Sequence, residues 1–99
     1  MTVLLTMDLP VSRDILEAVS SRMGVHDDPP DGLVVHVMTE TADGVRVVDV
    51  WDSVDQFTRF RDTRLLPAMG QVMESSGIAM PDPAPEPEIT EAHDLVVGH

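Results

Sequence analysis

The chain has 99 residues, the length of one domain, and a domain of this size has no room for a large enclosed cavity of its own. Its 18 acidic and 6 basic residues give a net charge of −12, which argues against nucleic acid and anionic membranes as partners because phosphate binding needs clustered cations. The sequence lacks Cys, Lys, Tyr and Asn, so any catalysis must come from His, Asp, Glu, Ser, Thr, Arg or the backbone.

The N-terminal third predicts a strand, a helix and a loop. Residues 2–9 alternate in hydrophobicity, as a strand does. Ser12 is a favourable helix N-cap and Gly24 a natural helix end, with apolar residues at helical spacing between them. The composition of residues 26–32 is typical of a loop. The first strand has no basic region before it and no cleavage site after it, so we do not interpret it as a signal peptide and expect a cytoplasmic protein.

The middle of the chain predicts a β-hairpin. Residues 33–41 and 45–52 have strand character and flank the dipeptide Asp43-Gly44, a strong hairpin-turn signal. This part of the chain, with the segment just after it, carries the only Trp and both Phe residues. We therefore expect a core and a site to coincide here.

The C-terminal part predicts a second helix and a last strand. Ser53 and Gln56 form a capping box at the start of the helix. Pro67 is expected to kink or break that helix, because proline removes a helical hydrogen bond. The Pro-rich residues 81–87 are expected to be an extended connector, and residues 88–97 to be the last strand.

The resulting order, β-α-β-β-α-β, predicts a single ferredoxin-like domain over residues 1–99. With right-handed crossovers it gives an α+β sandwich, in which a four-stranded antiparallel sheet of order 4-1-3-2 carries both helices on one face. The other face of the sheet would be bare. A second copy would cover it most economically, so we expect a homodimer.

The hairpin turn predicts which side chains share a face. With Asp43 and Gly44 at its centre, Met38 opposes Asp49 and His36 opposes Trp51. One face is nearly all apolar and is expected to pack under the helices: it holds Val35, Val37, Thr39, Val48 and Val50. The other face mixes apolar and polar groups, as the lining of a ligand pocket does: it holds His36, Met38, Glu40, Val47, Asp49 and Trp51.

The main catalytic candidate is His36. An imidazole titrates near neutrality, and a neighbouring carboxylate such as Asp49 would orient the ring and raise its pKa. Two alternatives stay open. His36 could be a sheet histidine satisfied by a carboxylate at a dimer interface, and Asp49 could pair with Arg46.

Four residues are candidates for substrate binding. Trp51 could wall the pocket for a flat substrate or could anchor the core or an interface. Met38 would give an adaptable lining, Thr6 would join the same face by the alternation of the first strand, and His93 of the last strand could meet His36. No spacing supports a metal site, so no metal is predicted.

Three arginines lie close together in the second helix, at positions 59, 61 and 64. Two of them, Arg61 and Arg64, could clamp a carboxylate substrate. Solvated pairing with nearby acids or salt bridges between subunits is the commoner arrangement, and it is the one that we expect.

A family resemblance is carried by the sequence GLVVHVMTETADGVRVVDVWDS and the following VDQFTRFRDTRLLPAM. The pattern of strand, hairpin, Trp and helix resembles the dimeric α+β barrel superfamily, and within it the small antibiotic-biosynthesis-monooxygenase-like proteins. The element order extends the resemblance over the whole chain. It implies a homodimer whose sheets form a barrel, with a pocket for a small molecule and no cofactor.

The resemblance implies acid/base chemistry on a polyketide-like or aromatic substrate. Quinone-forming monooxygenases of this kind use an Asn, a Trp and sometimes a Tyr, and only the Trp is present here. Many members place a His in the second helix, where this chain has Phe60. Cyclisation or isomerisation is therefore favoured over oxygenation. The alternative is a non-catalytic homodimer that binds a ligand or assists another enzyme.

Overall fold

The computed structural model describes residues 1–79 and 86–98, and it contains one four-stranded antiparallel sheet. The strands are β1 (Val3–Leu9), β2 (Leu33–Thr41), β3 (Gly44–Trp51) and β4 (Glu88–Glu91), in the order β2-β3-β1-β4. The helices are α1 (Arg13–Met23), α2 (Val54–Phe60) and α3 (Leu66–Ser76), and a π-helical turn (Arg61–Leu65) joins α2 to α3. The predicted ferredoxin-like α+β fold and its strand order are confirmed.

Short-range capping interactions set the helix ends where the sequence predicted them. The hydroxyl of Ser12 accepts a hydrogen bond from the backbone N–H of Ile15, and Gly24 ends α1 in the left-handed conformation at φ 69°. The hydroxyl of Ser53 accepts from the backbone N–H of Gln56 and starts α2. Each cap satisfies backbone groups that a helix end would otherwise leave unpaired.

The predicted break of the second helical segment at Pro67 does not occur. The proline lies at the start of α3, directly after the π-helical turn, in which the N–H of Leu66 donates to the carbonyl of Arg61 five residues back. The wider turn makes room for the proline ring and needs no N–H from it. The chain therefore stays helical from Val54 to Ser76.

The face of the sheet under the helices is the opposite of the one predicted. The apolar side of β1 is buried there, and it pairs with the side of β3 that carries Asp49. The cross-strand pairs on this face are Val3 with Trp51, Leu5 with Asp49 and Met7 with Val47. The valine-rich face points away from the helices, and on it Val37 is 43% exposed. The prediction that the valine-rich face packs under the helices was therefore wrong. The buried side chains of β1 lie beside Val47, Asp49 and Trp51 of β3, so that face of β3 is the one under the helices.

The hairpin turn lies one residue earlier than predicted. Thr41 pairs with Gly44, so the central turn residues are Ala42 and Asp43, and His36 opposes Asp49 directly. The cause is a close approach from β1. A Cβ at position 44 would stand 2.1 Å from the main-chain oxygen of Leu9. Gly44 is therefore the first residue of β3, where it allows this approach, and it is not a central residue of the turn. The pairing moves by two residues, which leaves every side chain on its predicted face.

The last strand is shorter than predicted. It ends at Glu91, and residues 92–98 follow without regular structure. Most of the predicted connector, residues 81–87, lies outside the described residues. Within the described ranges, none of the helices has the length and apolar character needed to cross a membrane.

Two glycine substitutions test this packing. We expect Gly44→Ala to lower the free energy of unfolding by about 2–3 kcal/mol, because its methyl group would collide with backbone at Leu9. Gly70→Ala, in the interior of α3 where a Cβ meets nothing within 4 Å, should raise it by about 0.5–1 kcal/mol. Urea unfolding followed by circular dichroism and by the fluorescence of Trp51 measures both. Equal effects at the two positions would contradict the close approach.

Candidate functional site

A buried carboxylate, that of Asp49, lies at the centre of the site. Its side chain is 7% exposed, and both of its oxygens are hydrogen-bonded. Oδ1 accepts from Nδ1 of His36 at 2.7 Å, and Oδ2 accepts from Nε1 of Trp51 at 3.1 Å. The two partners satisfy a charge that would otherwise be costly to bury. The structure thus brings together the predicted pair, His36 and Asp49.

The sheet register positions these three side chains. His36 of β2 is the direct cross-strand partner of Asp49, and Trp51 follows Asp49 by two residues on the same face of β3. The predicted alternative, an ion pair between Asp49 and Arg46, is not formed. Arg46 binds the carboxylate of Asp8 at 2.8 Å on the other face.

The hydrogen bond from His36 to Asp49 controls the protonation of the imidazole. It raises the pKa of His36 above its ordinary value of 6.5, and partial burial of the ring opposes that rise. The side chain is 31% exposed. Nδ1 is committed to the carboxylate, whereas Nε2 has no hydrogen-bond partner in residues 1–79 and 86–98. Nε2 is therefore available to accept or donate a proton near neutral pH.

An aromatic cluster packs against the carboxylate. Trp51 is fully buried, and its ring lies 5.7 Å from that of Phe57 in an edge-to-face arrangement and 5.4 Å from that of Phe60 in a tilted one. Trp51 is thus a core anchor, the more ordinary of the two roles that the sequence left open. It also contributes to the wall of a cavity.

This cavity lies between the sheet and the helices, beside His36. Its volume is about 50 Å³ and its lining is mostly apolar. Residues that line it include Met7, Val25, Leu33, His36, Met38, Asp49, Trp51 and Phe60. Such a volume holds about one or two water molecules, whereas ligand pockets measure about 300–1,000 Å³. A ligand larger than this must displace some of the lining side chains.

Two of the predicted site residues lie away from the cavity. Thr6 pairs with Val48 on the sheet face that points away from the helices, because the alternate residues of β1 are the buried ones. His93 is exposed and follows the end of β4. In the described part of the chain, no three His, Asp or Glu side chains are grouped so as to hold a metal ion.

Sequence reasoning missed the role of Arg64, whose guanidinium binds backbone carbonyls next to the site. Nη2 donates to the carbonyl of Met23 at 2.6 Å and to the carbonyl of Asp28 at 2.9 Å. The same group lies over the ring of Phe60, and the side chain is 25% exposed. Arg64 thereby ties the loop of residues 24–32 to the π-helical turn. The only signal in the sequence is the spacing of four residues between Phe60 and Arg64.

Several solved structures are similar to this chain over nearly its whole length. The protein Rv0793 of Mycobacterium tuberculosis is 17% identical, with a TM-score of 0.58 over 97% of this chain and 98% of that one. A proposed antibiotic biosynthesis monooxygenase from Caulobacter crescentus is 19% identical, with a TM-score of 0.63 over 94% and 91%. SnoaB, a cofactor-independent oxygenase from Streptomyces nogalater, is 18% identical, with a TM-score of 0.55 over 96% and 94%.

These similarities establish the fold. No family model matches the sequence, and comparison with curated proteins gives no significant match. At identities below one fifth, the structures show a shared architecture and leave the chemistry open. The predicted resemblance to antibiotic-biosynthesis-monooxygenase-like proteins is confirmed at the level of the fold.

The dependence of the His36 pKa on Asp49 can be measured directly. In an NMR pH titration, we expect the pKa of His36 to lie above 6.5 in the native protein and at or below 6.5 in Asp49→Asn. The substitution removes the charge that favours the imidazolium, whereas partial burial still disfavours it. His26 is an exposed loop residue and serves as the control: its ring signals should be the same in the native protein and in Asp49→Asn. An unchanged His36 pKa in Asp49→Asn would contradict this cause.

The same shift predicts a pH dependence of stability. The pKa of His36 is higher in the folded state than in the unfolded state. His36 therefore contributes fully to the free energy of unfolding below pH 6.5, and this contribution is lost as the pH rises through the folded-state pKa. The stability advantage of the native protein over His36→Gln should shrink over that interval.

Proposed function

We propose that this protein is a cofactor-independent enzyme that acts on a small molecule through acid/base chemistry. The carrying observation is the His36–Asp49 pair on the wall of an apolar cavity, with Nε2 of the imidazole uncommitted. His36 is the catalytic residue and Asp49 is a positioning residue. The aromatic ring of Trp51, with its indole N–H held by Asp49, forms part of the wall against which a flat substrate would lie.

The reaction favoured by this geometry is proton transfer next to a carbonyl group. Nε2 of His36 removes a proton from carbon, and the ionised Asp49 stabilises the imidazolium that forms. Return of that proton to a different atom gives an isomer. Attack of the enolate carbon on a second carbonyl of the same molecule closes a ring by a new C–C bond, and the imidazolium of His36 returns its proton to the alkoxide that forms. The hydrogen bond to Asp49 raises the pKa of His36 above 6.5 and so favours the imidazolium that forms in the first step. A polyketide-like or aromatic substrate matches the aromatic wall.

Two observations support other functions. A similar structure is that of a cofactor-independent oxygenase, and this chain shares the possession of a Trp with proteins of that kind, which favours oxygenation as a second chemistry. The small volume of the cavity, about 50 Å³, favours a non-catalytic homodimer that binds a ligand or assists another enzyme. Turnover of a substrate that depends on His36 would favour the enzyme over the non-catalytic homodimer.

The proposal includes a homodimer. The sheet face that points away from the helices is apolar, with Val37 and Leu4 exposed and Val35, Val48 and Val50 partly so. An uncovered apolar sheet face of this kind commonly marks an interface. A second copy that packs the same face on this one would cover both.

Substitution of the imidazole tests the catalytic role. On a panel of polyketide-like ketones and lactones, His36→Gln should lower kcat/KM by about 10²–10⁴-fold, the range that general acid/base catalysis supplies. Asp49→Asn should lower it less and should also move the pH–rate profile to lower pH. The exposed His93 provides the matched control, and His93→Gln should leave the rate unchanged. Full activity of folded His36→Gln on a substrate that the native protein converts would exclude the role.

Two exposed valines test the dimer. We expect a mass of about twice 10.8 kDa for the native protein by light scattering, and a monomer for Val37→Glu, which places a charge at the proposed interface. Val54→Glu, at a position 39% exposed at the start of α2, is the control and should remain dimeric. A native monomer at micromolar concentration, or equal effects of the two substitutions, would contradict the interface.

A further inference from the structure

A surface groove lies directly beside the cavity. We call it the α2 groove, and it is lined by Pro30, Asp31, Gln56, Arg59, Phe60, Thr63 and Arg64. Its volume is about 200 Å³, four times that of the cavity, and Phe60 lines both spaces. Phe60 is thus the residue shared by an apolar cavity beside His36 and a larger, more polar groove that is open to solvent.

We propose that the α2 groove is the second half of the ligand site and that it binds an anionic group of the ligand. The flat apolar part of the ligand occupies the cavity, Arg59 binds its carboxylate or another acidic group, and Phe60 is the movable partition between them. This inference rests on the proposed function and adds the class of ligand, an organic acid with a flat apolar body.

The first argument is volume. Cavity and groove, at about 50 and 200 Å³, approach the lower limit of about 300 Å³ for ligand pockets only when they are joined. A change of rotamer at Phe60 would join them, because this side chain is only partly buried and lies at the edge of the core. Phe60 is also the last residue before the π-helical turn, a feature frequent at functional sites.

The second argument is charge. A protein of net charge −12 repels anions from most of its surface, so an anionic ligand needs a local cation. Within the described residues, five of the six arginines have hydrogen-bonding partners. These are Arg13 with Glu17 and Glu40, Arg22 with Gln71, Arg46 with Asp8, Arg61 with Asp62, and Arg64 with Met23 and Asp28.

The sixth is Arg59, and its guanidinium has no such partner in residues 1–79 and 86–98. Its planar fork matches the two oxygens of a carboxylate. Asp31 also lies on the groove and reduces the local positive potential, so the contribution expected from Arg59 is moderate. Recognition then needs both the charge at Arg59 and the apolar surface behind Phe60.

The test uses two fluorescent probes that differ in one group. 1-Anilinonaphthalene-8-sulfonate and N-phenyl-1-naphthylamine share their rings, and only the first carries an anion. We expect the native protein to bind both, with energy transfer from Trp51, which lines the cavity. Arg59→Gln should weaken binding of the sulfonate by about three- to ten-fold and leave binding of the neutral probe unchanged. Arg22→Gln, a substitution outside the groove, should affect neither.

Phe60→Ala should tighten the binding of both probes, because it removes the partition. Circular dichroism and urea midpoints identify any variant whose probe binding reflects loss of structure. Three results would overturn the inference: no binding to the native protein, equal effects of Arg59→Gln on the two probes, or binding without energy transfer from Trp51. Probe binding does not require turnover. Retained binding by an inactive His36→Gln would support the groove, and inactivity of the native protein alone would count only against the enzyme.

Discussion

The carboxylate of Asp49 is a buried charge, and its need for two hydrogen-bond donors constrains the rest of the sheet. It lies on the helix side of β3, where its neighbours on β1 and β3 are apolar. Loss of one donor would leave a buried oxygen unpaired at a cost of about 1–3 kcal/mol. In the observed pairing of β2 with β3, His36 lies directly opposite Asp49 and supplies one of these donors. The polar contact therefore favours the same alignment of the hairpin that the close approach of Leu9 to Gly44 requires. The apolar residues of the hairpin discriminate poorly between alignments because they resemble one another.

The same constraint determines what each sheet face can do. Trp51 satisfies Asp49 from within the strand and fills the space under α2, where Phe57 and Phe60 pack on it. Once that face is turned to the helices, the valines of the hairpin must point the other way, because neighbouring side chains of a strand alternate. The same strand pairing thus places the polar pair under the helices and leaves an apolar surface for a partner on the other face.

The sequence was sufficient where the determining interactions are local. Ser12, Gly24 and Ser53 act within one helical turn, so their caps were predicted correctly. The predicted hairpin placed His36 and Asp49 on one face although its turn was one residue late, because a shift of two residues in the pairing preserves the face of each side chain. Prediction failed where a distant element decides. Nothing near Gly44 in the chain reveals that the oxygen of Leu9 approaches it, and the hairpin has two faces apolar enough to pack under a helix. Thr6 was assigned to the site through that second error.

The π-helical turn shows how one such non-local arrangement builds the far side of the site. In an uninterrupted α-helix, core positions recur every three or four residues, so a stripe through Phe57 and Phe60 would reach Arg64. The extra residue of a π-helical turn moves the stripe by about 100°. Leu65 is therefore the next buried residue after Phe60, and Arg64 turns out of the stripe. From there its guanidinium reaches the carbonyls of Met23 and Asp28, which an arginine pointing into the core could not do. The turn thus accommodates Pro67 and also holds the loop of residues 24–32 against the cavity.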